Sequence, residues 1–232
     1  MSAEQNAQCE QLIAQFDDFI DGIFAPLEAW LPRLQQQLAE RLALGPITGA
    51  GLTALVEAEA HALLESTDRP LYGAGFCAAE TVVTEGNPLA WWQGPERALL
   101  ASSTFGPGQA AIDLHRLEWY RVPAATLERH IAGPFVDYLC SNEITLTASI
   151  PVMLDGEFSG VLCADVLVAS LEDLLLPLLQ ALDGAAVVNS SGRVVVSAHH
   201  GYETGDRFVS DVELVPSKRY PFNLAVSSKV AA

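Results

Sequence analysis

Residues 144–166 constrain the fold more than any other part of the chain. Ile144, Leu146, Ala148 and Ile150 alternate with Thr145, Thr147 and Ser149. That two-residue period puts the apolar set on one face of a strand and the hydroxyls on the other. Asp155-Gly156 is a strong turn signal, and Phe158 to Val166 reads as the partner strand of a hairpin. Hairpins of this kind recur. Ala185 to Asn189 and Arg193 to Ser197 flank Ser190-Ser191-Gly192, and Tyr220, Phe222, Leu224 and Val226 alternate as a last strand. Successive hairpins imply an antiparallel sheet.

The start of the chain has a different period. Ile13, Phe16, Ile20, Ile23, Phe24, Leu27, Leu31, Leu34 and Leu38 recur at three- and four-residue steps, the pattern of a long amphipathic helix. Pro26 and Pro32 are expected to kink it or divide it in two, because each removes a backbone donor. Gly45-Pro46 ends it; Leu52, Leu55, Val56, Leu63 and Leu64 form a second helical face, stopped by Asp68-Arg69-Pro70. Leu71 to Val83, Leu89 to Gln93 and Arg97 to Ser102 then read as short strands, and Ala169 to Leu182 as a further helix. The fold class is α+β: an antiparallel sheet, a long N-terminal helix, and flanking helices grouped on one side or end. Residues 1–69 are expected to be a helical segment packing on an α+β unit over 70–232, the two making one folded unit.

Composition narrows the function classes. The formal charge is −17, from 29 acidic and 12 basic residues, and the lysines are Lys218 and Lys229. Such a surface repels phosphate backbones and anionic lipid, so neither nucleic acid nor membrane is an expected partner, and cations are favoured. The N-terminus lacks the basic start and apolar core of a secretory signal, and no apolar run is long enough to span a bilayer, which points to the cytoplasm. Cys9, Cys77, Cys140 and Cys163 are scattered without paired spacing, and His199-His200 would point to opposite faces of a strand. No metal and no cofactor are therefore expected. Gly73-Ala74-Gly75-Phe76-Cys77-Ala78 fits a dinucleotide-binding pattern in form only: no apolar strand precedes it and no helix follows. A glycine-bearing strand that lets another backbone approach explains it better.

The chemistry concentrates in Glu118-Trp119-Tyr120-Arg121, in Gly133-Pro134-Phe135-Val136-Asp137-Tyr138, and at Asp165. Asp137 and Asp165 could neutralise an ammonium group, each charge-assisted hydrogen bond contributing about 1.5–3 kcal/mol. Trp119 and Tyr120 could supply cation–π contact, and Arg121 could fork onto a carboxylate. Thr145, Thr147 and Ser149 could line the same cavity, and Cys163 shares a face with Asp165. Structural roles compete: Trp119 as a core aromatic, Asp137 closing a turn, Arg121 bridging to Glu118 or Asp137.

The order of these segments resembles a Cache domain, a PAS-like sensor fold. The resemblance is carried by the long N-terminal helix, Trp119-Tyr120-Arg121, Gly133-Pro134-Phe135-Val136-Asp137-Tyr138, Thr145 to Val152 and Gly156 to Val166. It implies a binding module for an amino acid, amine or small carboxylate held under a loop spanning Trp119–Asp137, with Trp119, Tyr120, Arg121, Asp137, Tyr138, Thr145, Thr147 and Asp165 as ligand-binding residues. In the amino-acid-binding subgroup an arginine precedes the tryptophan by two residues. Here that position is Leu117, with Arg116 one step away, which leaves amines open. The leading reading is a non-catalytic small-molecule sensor acting through its N-terminal helix on a partner or a second copy. A scaffold protein with a vestigial pocket is the alternative. An enzyme acting on a small amine or acid is the third class, with no nucleophile–base pair to motivate it.

Overall fold

A computed structural model describes residues 3–66, 69–100, 113–138, 142–182, 184–209 and 212–227. Asp68, Cys140 and the last two residues of the strand expected over 97–102 lie outside them. Helix α1 spans Ala3–Ala43, and its buried stripe from Cys9 to Leu38 contains the apolar residues that the three- and four-residue spacing picks out, except Leu31, which is only partly buried. Of the kink or division expected at Pro26 and Pro32, the division does not occur; α1 runs through both as one element. Each proline removes one donor only, while Phe24, Leu27, Trp30 and Leu34, at or below 5 % exposure, pack the same stretch into the core. After the two-residue strand β1 (Ile47–Thr48) comes α2 (Gly49–Ser66).

The strands that follow are β2 (Leu71–Ala78), β3 (Val83–Glu85), β4 (Leu89–Gln93), β5 (Ala98–Leu99), β6 (His130–Val136), β7 (Ile144–Leu154) and β8 (Glu157–Leu167). Six of them form an antiparallel sheet in the order β5-β4-β2-β8-β7-β6, and β3 pairs with β1. The β7–β8 turn takes positive φ at both Asp155 (49°) and Gly156 (85°), the backbone that Asp-Gly favours in a two-residue hairpin. One sheet face carries Phe76, Trp92, Leu146, Ile150, Leu162 and Val166, and buries them with α1 and α2 in one core. The opposite face carries Thr145, Thr147, Ser149, Cys163 and Asp165, and is covered by the short helix α3 (Glu118–Thr126). The segment between Trp119 and Asp137 is therefore not the loop expected from sequence: it is this helix followed by β6.

A second sheet lies beyond helix α4 (Val168–Leu179). Its strands are β9 (Ala186–Asn189), β10 (Val194–Ser197), β11 (Val212–Pro216) and β12 (Phe222–Ser227), in the order β10-β9-β12-β11. Its inner residues Val187, Val195, Phe222 and Leu224 belong to the same apolar core as α1. A polar clamp adds to this contact. Asp17, 3 % exposed, accepts a hydrogen bond of 2.6 Å from the Ser217 hydroxyl, and Arg219 lies 3.5 Å away. Ser217→Ala leaves that buried carboxylate short of a donor and is expected to destabilise the protein by about 1–3 kcal/mol. Urea unfolding of the two proteins with equal m-values and a lowered midpoint for the variant is the result that checks it.

Candidate functional site

The site begins as a row of small residues across the sheet. Gln93, Gly73, Asp165, Thr147 and Ala132 are successive register partners on β4, β2, β8, β7 and β6. The next row on the same face runs Trp91, Gly75, Cys163, Ser149 and His130. Glycine, alanine, serine, threonine and cysteine leave a depression around the Asp165 carboxyl. Cys77, Leu89, Trp91, Trp119, Phe135, Asp137, Thr147, Cys163 and Asp165 enclose it. The cavity is narrow, about 20 Å³ in volume.

Two local devices build the walls. The β6–β7 register slips between Ala132 and Phe135, so one extra residue is inserted at Gly133-Pro134. A bulge of this kind re-aims the side chains that follow it. Ala132 faces the depression before the bulge, and Phe135 and Asp137 face it afterwards; without the slip Val136 and Tyr138 would. Gly133 has φ +120°, and a Cβ there would meet the Thr145 carbonyl at 2.7 Å, so glycine is required. The second device is α3, which rotates side chains by about 100° per residue. Trp119 reaches the cavity, Tyr120 packs edge-on against Trp119 and Phe158, and Arg121 is exposed. Glu118 anchors the helix to β6 through a 3.0 Å contact with His130, which also holds the Glu118 carboxyl below its ordinary value.

Asp165 is the electrostatic centre. Its carboxyl is 5 % exposed, and burial pushes its pKa up to about 8; the nearby Asp137 adds to the rise, and the 2.6 Å hydrogen bond donated by the Thr147 hydroxyl opposes it. Burial likewise pushes the Cys77 thiol up to about 12 and the Cys163 thiol well above its ordinary range. Protonated buried thiols are poor nucleophiles. Among the described residues no group of three or more His, Cys, Asp or Glu could hold a metal ion.

Of the candidates read from sequence, Trp119, Asp137, Thr147 and Asp165 meet at one cavity. Tyr120 is buried behind Trp119, in the same apolar cluster. Thr145 is fully buried and donates to the Glu143 carbonyl. Arg121 and Tyr138 are brought elsewhere: Arg121 projects to solvent, and Tyr138, one residue past Asp137, is 77 % exposed. Sequence reasoning misses Cys77, Leu89, Trp91 and Phe135. The signal for Trp91 is Gly73, whose missing side chain makes room for the indole: a Cβ there would come within 3 Å of three of its ring atoms, whereas one on Gly75 would meet the β4 backbone, the Ala90 carbonyl at 2.1 Å.

No known family profile and no curated protein matches this chain. Solved structures do. The extracellular domain of mmHK1S-Z3, a protein named as a histidine kinase, superposes with a TM-score of 0.67 at 13% identity, covering 97% of this chain and 94% of its own. The ligand-binding domain of the Pseudomonas aeruginosa PAO1 amino-acid chemoreceptor PctC, solved with GABA, gives 0.55 at 17% identity, covering 97% and 99%. That of the Campylobacter jejuni chemoreceptor Tlp3, solved with L-valine, gives 0.58 at 9% identity, covering 97% and 92%. The fold is that of a Cache sensor domain. The superpositions show the shared fold, and identities this low leave the ligand to be argued from the side chains. No helix among the described residues is long and apolar enough to cross a membrane.

Proposed function

We propose that the chain is a non-catalytic sensor whose cavity binds a small amine, or an amino acid through its ammonium group. One observation carries the reading: Asp137 and Asp165 line a single cavity with Trp91 and Trp119, and no arginine or lysine is among its described lining residues. Two carboxylates beside indole rings suit a cation, through charge-assisted hydrogen bonds and cation–π attraction. With Arg121 exposed and Leu117 at the position of the expected arginine, nothing described there matches a ligand carboxylate, so amines are favoured. The chemoreceptor domains that share the fold were solved with GABA and L-valine, both of which carry an ammonium group, which supports a ligand with that group.

Signalling is the second part of the proposal. Ligand contact with Trp119 would shift α3, which Glu118 ties to His130 on β6. The adjacent Arg129 pairs with Glu28 at 2.7 Å and Asp21 at 3.3 Å on α1. Asp21 also accepts from Arg219 and Tyr220 of the second sheet's hairpin. Occupancy would thus reach α1, through which the protein engages a second copy or a partner. Residues 1–69 and 70–232 act in this reading as one unit, in the cytoplasm, although the mmHK1S domain that shares the fold is extracellular. Fractionation of the source cells tests that location, and recovery outside the cytoplasm overturns it.

The ligand test is thermal unfolding against a panel of amines, polyamines, amino acids and small carboxylates. A ligand present at a hundred times its dissociation constant adds about 2.7 kcal/mol, a shift of roughly 5–10 °C at this chain length. The expected result is a hit among the ammonium compounds that Asp137→Ala and Asp165→Ala abolish. A hit unaffected by either substitution, or shifts confined to carboxylates lacking an ammonium, would sink the reading.

A further inference from the structure

Trp91 is held in place from two sides. Its Nε1 donates to Gln93 Oε1 at 3.2 Å, which draws the indole along β4 toward the Gln93–Gly73–Asp165 row. A Cβ on Gly73 would lie 2.7 Å from the Trp91 Cζ2 and 2.9 Å from Cε2 and Nε1. The six-membered ring is therefore bedded on the bare backbone of β2, in the space that any side chain at position 73 would fill. Gly73 is the register partner of Asp165, so the indole edge flanks the Asp165 carboxyl on the β2 side while Thr147 flanks it on the β7 side. The cavity has almost no slack, so the position of this wall decides what fits beside the carboxylate.

We propose that Trp91, bedded on Gly73 and held by Gln93, is the specificity-determining wall of the pocket. It occupies the space next to the ammonium subsite that a branch on the ligand's α-carbon would need, and so restricts the cavity to compact, unbranched alkylammonium ions. The assignment rests on the reading that Asp137 and Asp165 hold an ammonium group. It extends that reading by excluding α-branched amines, α-amino acids among them. A wall of one side chain in a tight apolar pocket discriminates by about ten- to two-hundredfold per misplaced carbon.

The test is calorimetric titration with ethylammonium and sec-butylammonium. The proteins are the wild type, Trp91→Leu, Gly73→Ala and the double variant, each first shown by thermal unfolding to be folded. The wild type is expected to prefer ethylammonium. Trp91→Leu should shift the preference toward the branched ion by about tenfold or more. Gly73→Ala should push the indole toward Asp165 and weaken both ions, and adding Trp91→Leu should restore them. If Trp91→Leu does not fold, Trp91→Phe removes the bedded ring edge and should shift the preference in the same direction. An unchanged preference in a position-91 variant that still binds ethylammonium overturns the wall and leaves the ammonium reading standing. So does a Gly73→Ala protein that binds like the wild type. Wild-type protein that binds neither ion at millimolar concentration overturns both.

Discussion

Asp165→Asn is expected to match the wild-type melting temperature near pH 4 and to exceed it increasingly as the pH rises to about 8. The Asp165 carboxyl titrates near 8 in the folded protein, against 3.8 for an ordinary aspartate, chiefly because it is buried. Between those values the folded state holds a proton that the unfolded state has released. Raising the pH therefore favours unfolding, by about 1.4 kcal/mol for each pH unit across the window. Above pH 8 both states are ionised and the loss is complete. Asparagine stands in for the protonated form, still accepts from the Thr147 hydroxyl, and carries no such penalty. The summed difference amounts to several kcal/mol, or on the order of ten degrees in melting temperature at this length. The same substitution should end amine binding, so one change raises stability while removing function, the pattern of a group kept in an unfavourable place for its ligand. An ammonium ion should reverse the wild-type trend: its binding expels the proton, and affinity should strengthen about tenfold per pH unit up to about pH 8. Scanning calorimetry of both proteins from pH 4 to 9 decides this. Parallel curves would mean that Asp165 is already ionised in the free protein.

Much of this architecture is legible in the sequence because it follows from short-range rules. The stripe on α1, the Asp155-Gly156 hairpin and the alternation of Thr145, Thr147 and Ser149 all rest on periods of 3.6 or 2. Hidden parts depended on breaks in those periods. Asp137 and Tyr138 are neighbours, and only the extra residue at Gly133-Pro134 decides that Asp137 faces the cavity and Tyr138 the solvent. Trp119, Tyr120 and Arg121 read as one cluster in sequence, but a nine-residue helix separates them by rotation, so that Trp119 alone lines the cavity. Trp91 reads as an ordinary strand residue within Leu89–Gln93. Its place in the cavity wall depends on Gly73, eighteen positions earlier, whose absent side chain leaves the space the indole occupies. β11 was missed because its burial is slight: Glu213 and Leu214 are exposed, so the strand lacks a clear apolar alternation.

Phe16→Ala should show whether the two sheets form one cooperative unit. Phe16 is fully buried on α1 and meets the Phe222 ring of β12 edge-on, centroids 5.0 Å apart and planes at 83°. Truncating a buried phenylalanine costs about 3–5 kcal/mol, a fall on the order of ten degrees in melting temperature. The residue touches the second sheet, beyond the Asp165 cavity in sequence, so the way the loss is distributed carries the information. Phe16, Ile20, Phe24 and Leu27 form an unbroken buried stripe, and the core they join includes Leu146 and Leu162 of the six-stranded sheet as well as Phe222 and Leu224 of the second. Weakening one end should therefore weaken the whole. Amide exchange in β7–β8 should accelerate together with exchange in β11–β12, and calorimetry should show one transition. If β11–β12 instead opens alone while β7–β8 keeps wild-type protection, the sheets are separate units. That outcome would also remove the physical basis for the proposed signal. A helix that moves with the ligand cavity can report occupancy at its far end only if the cost of displacing it is shared along its length.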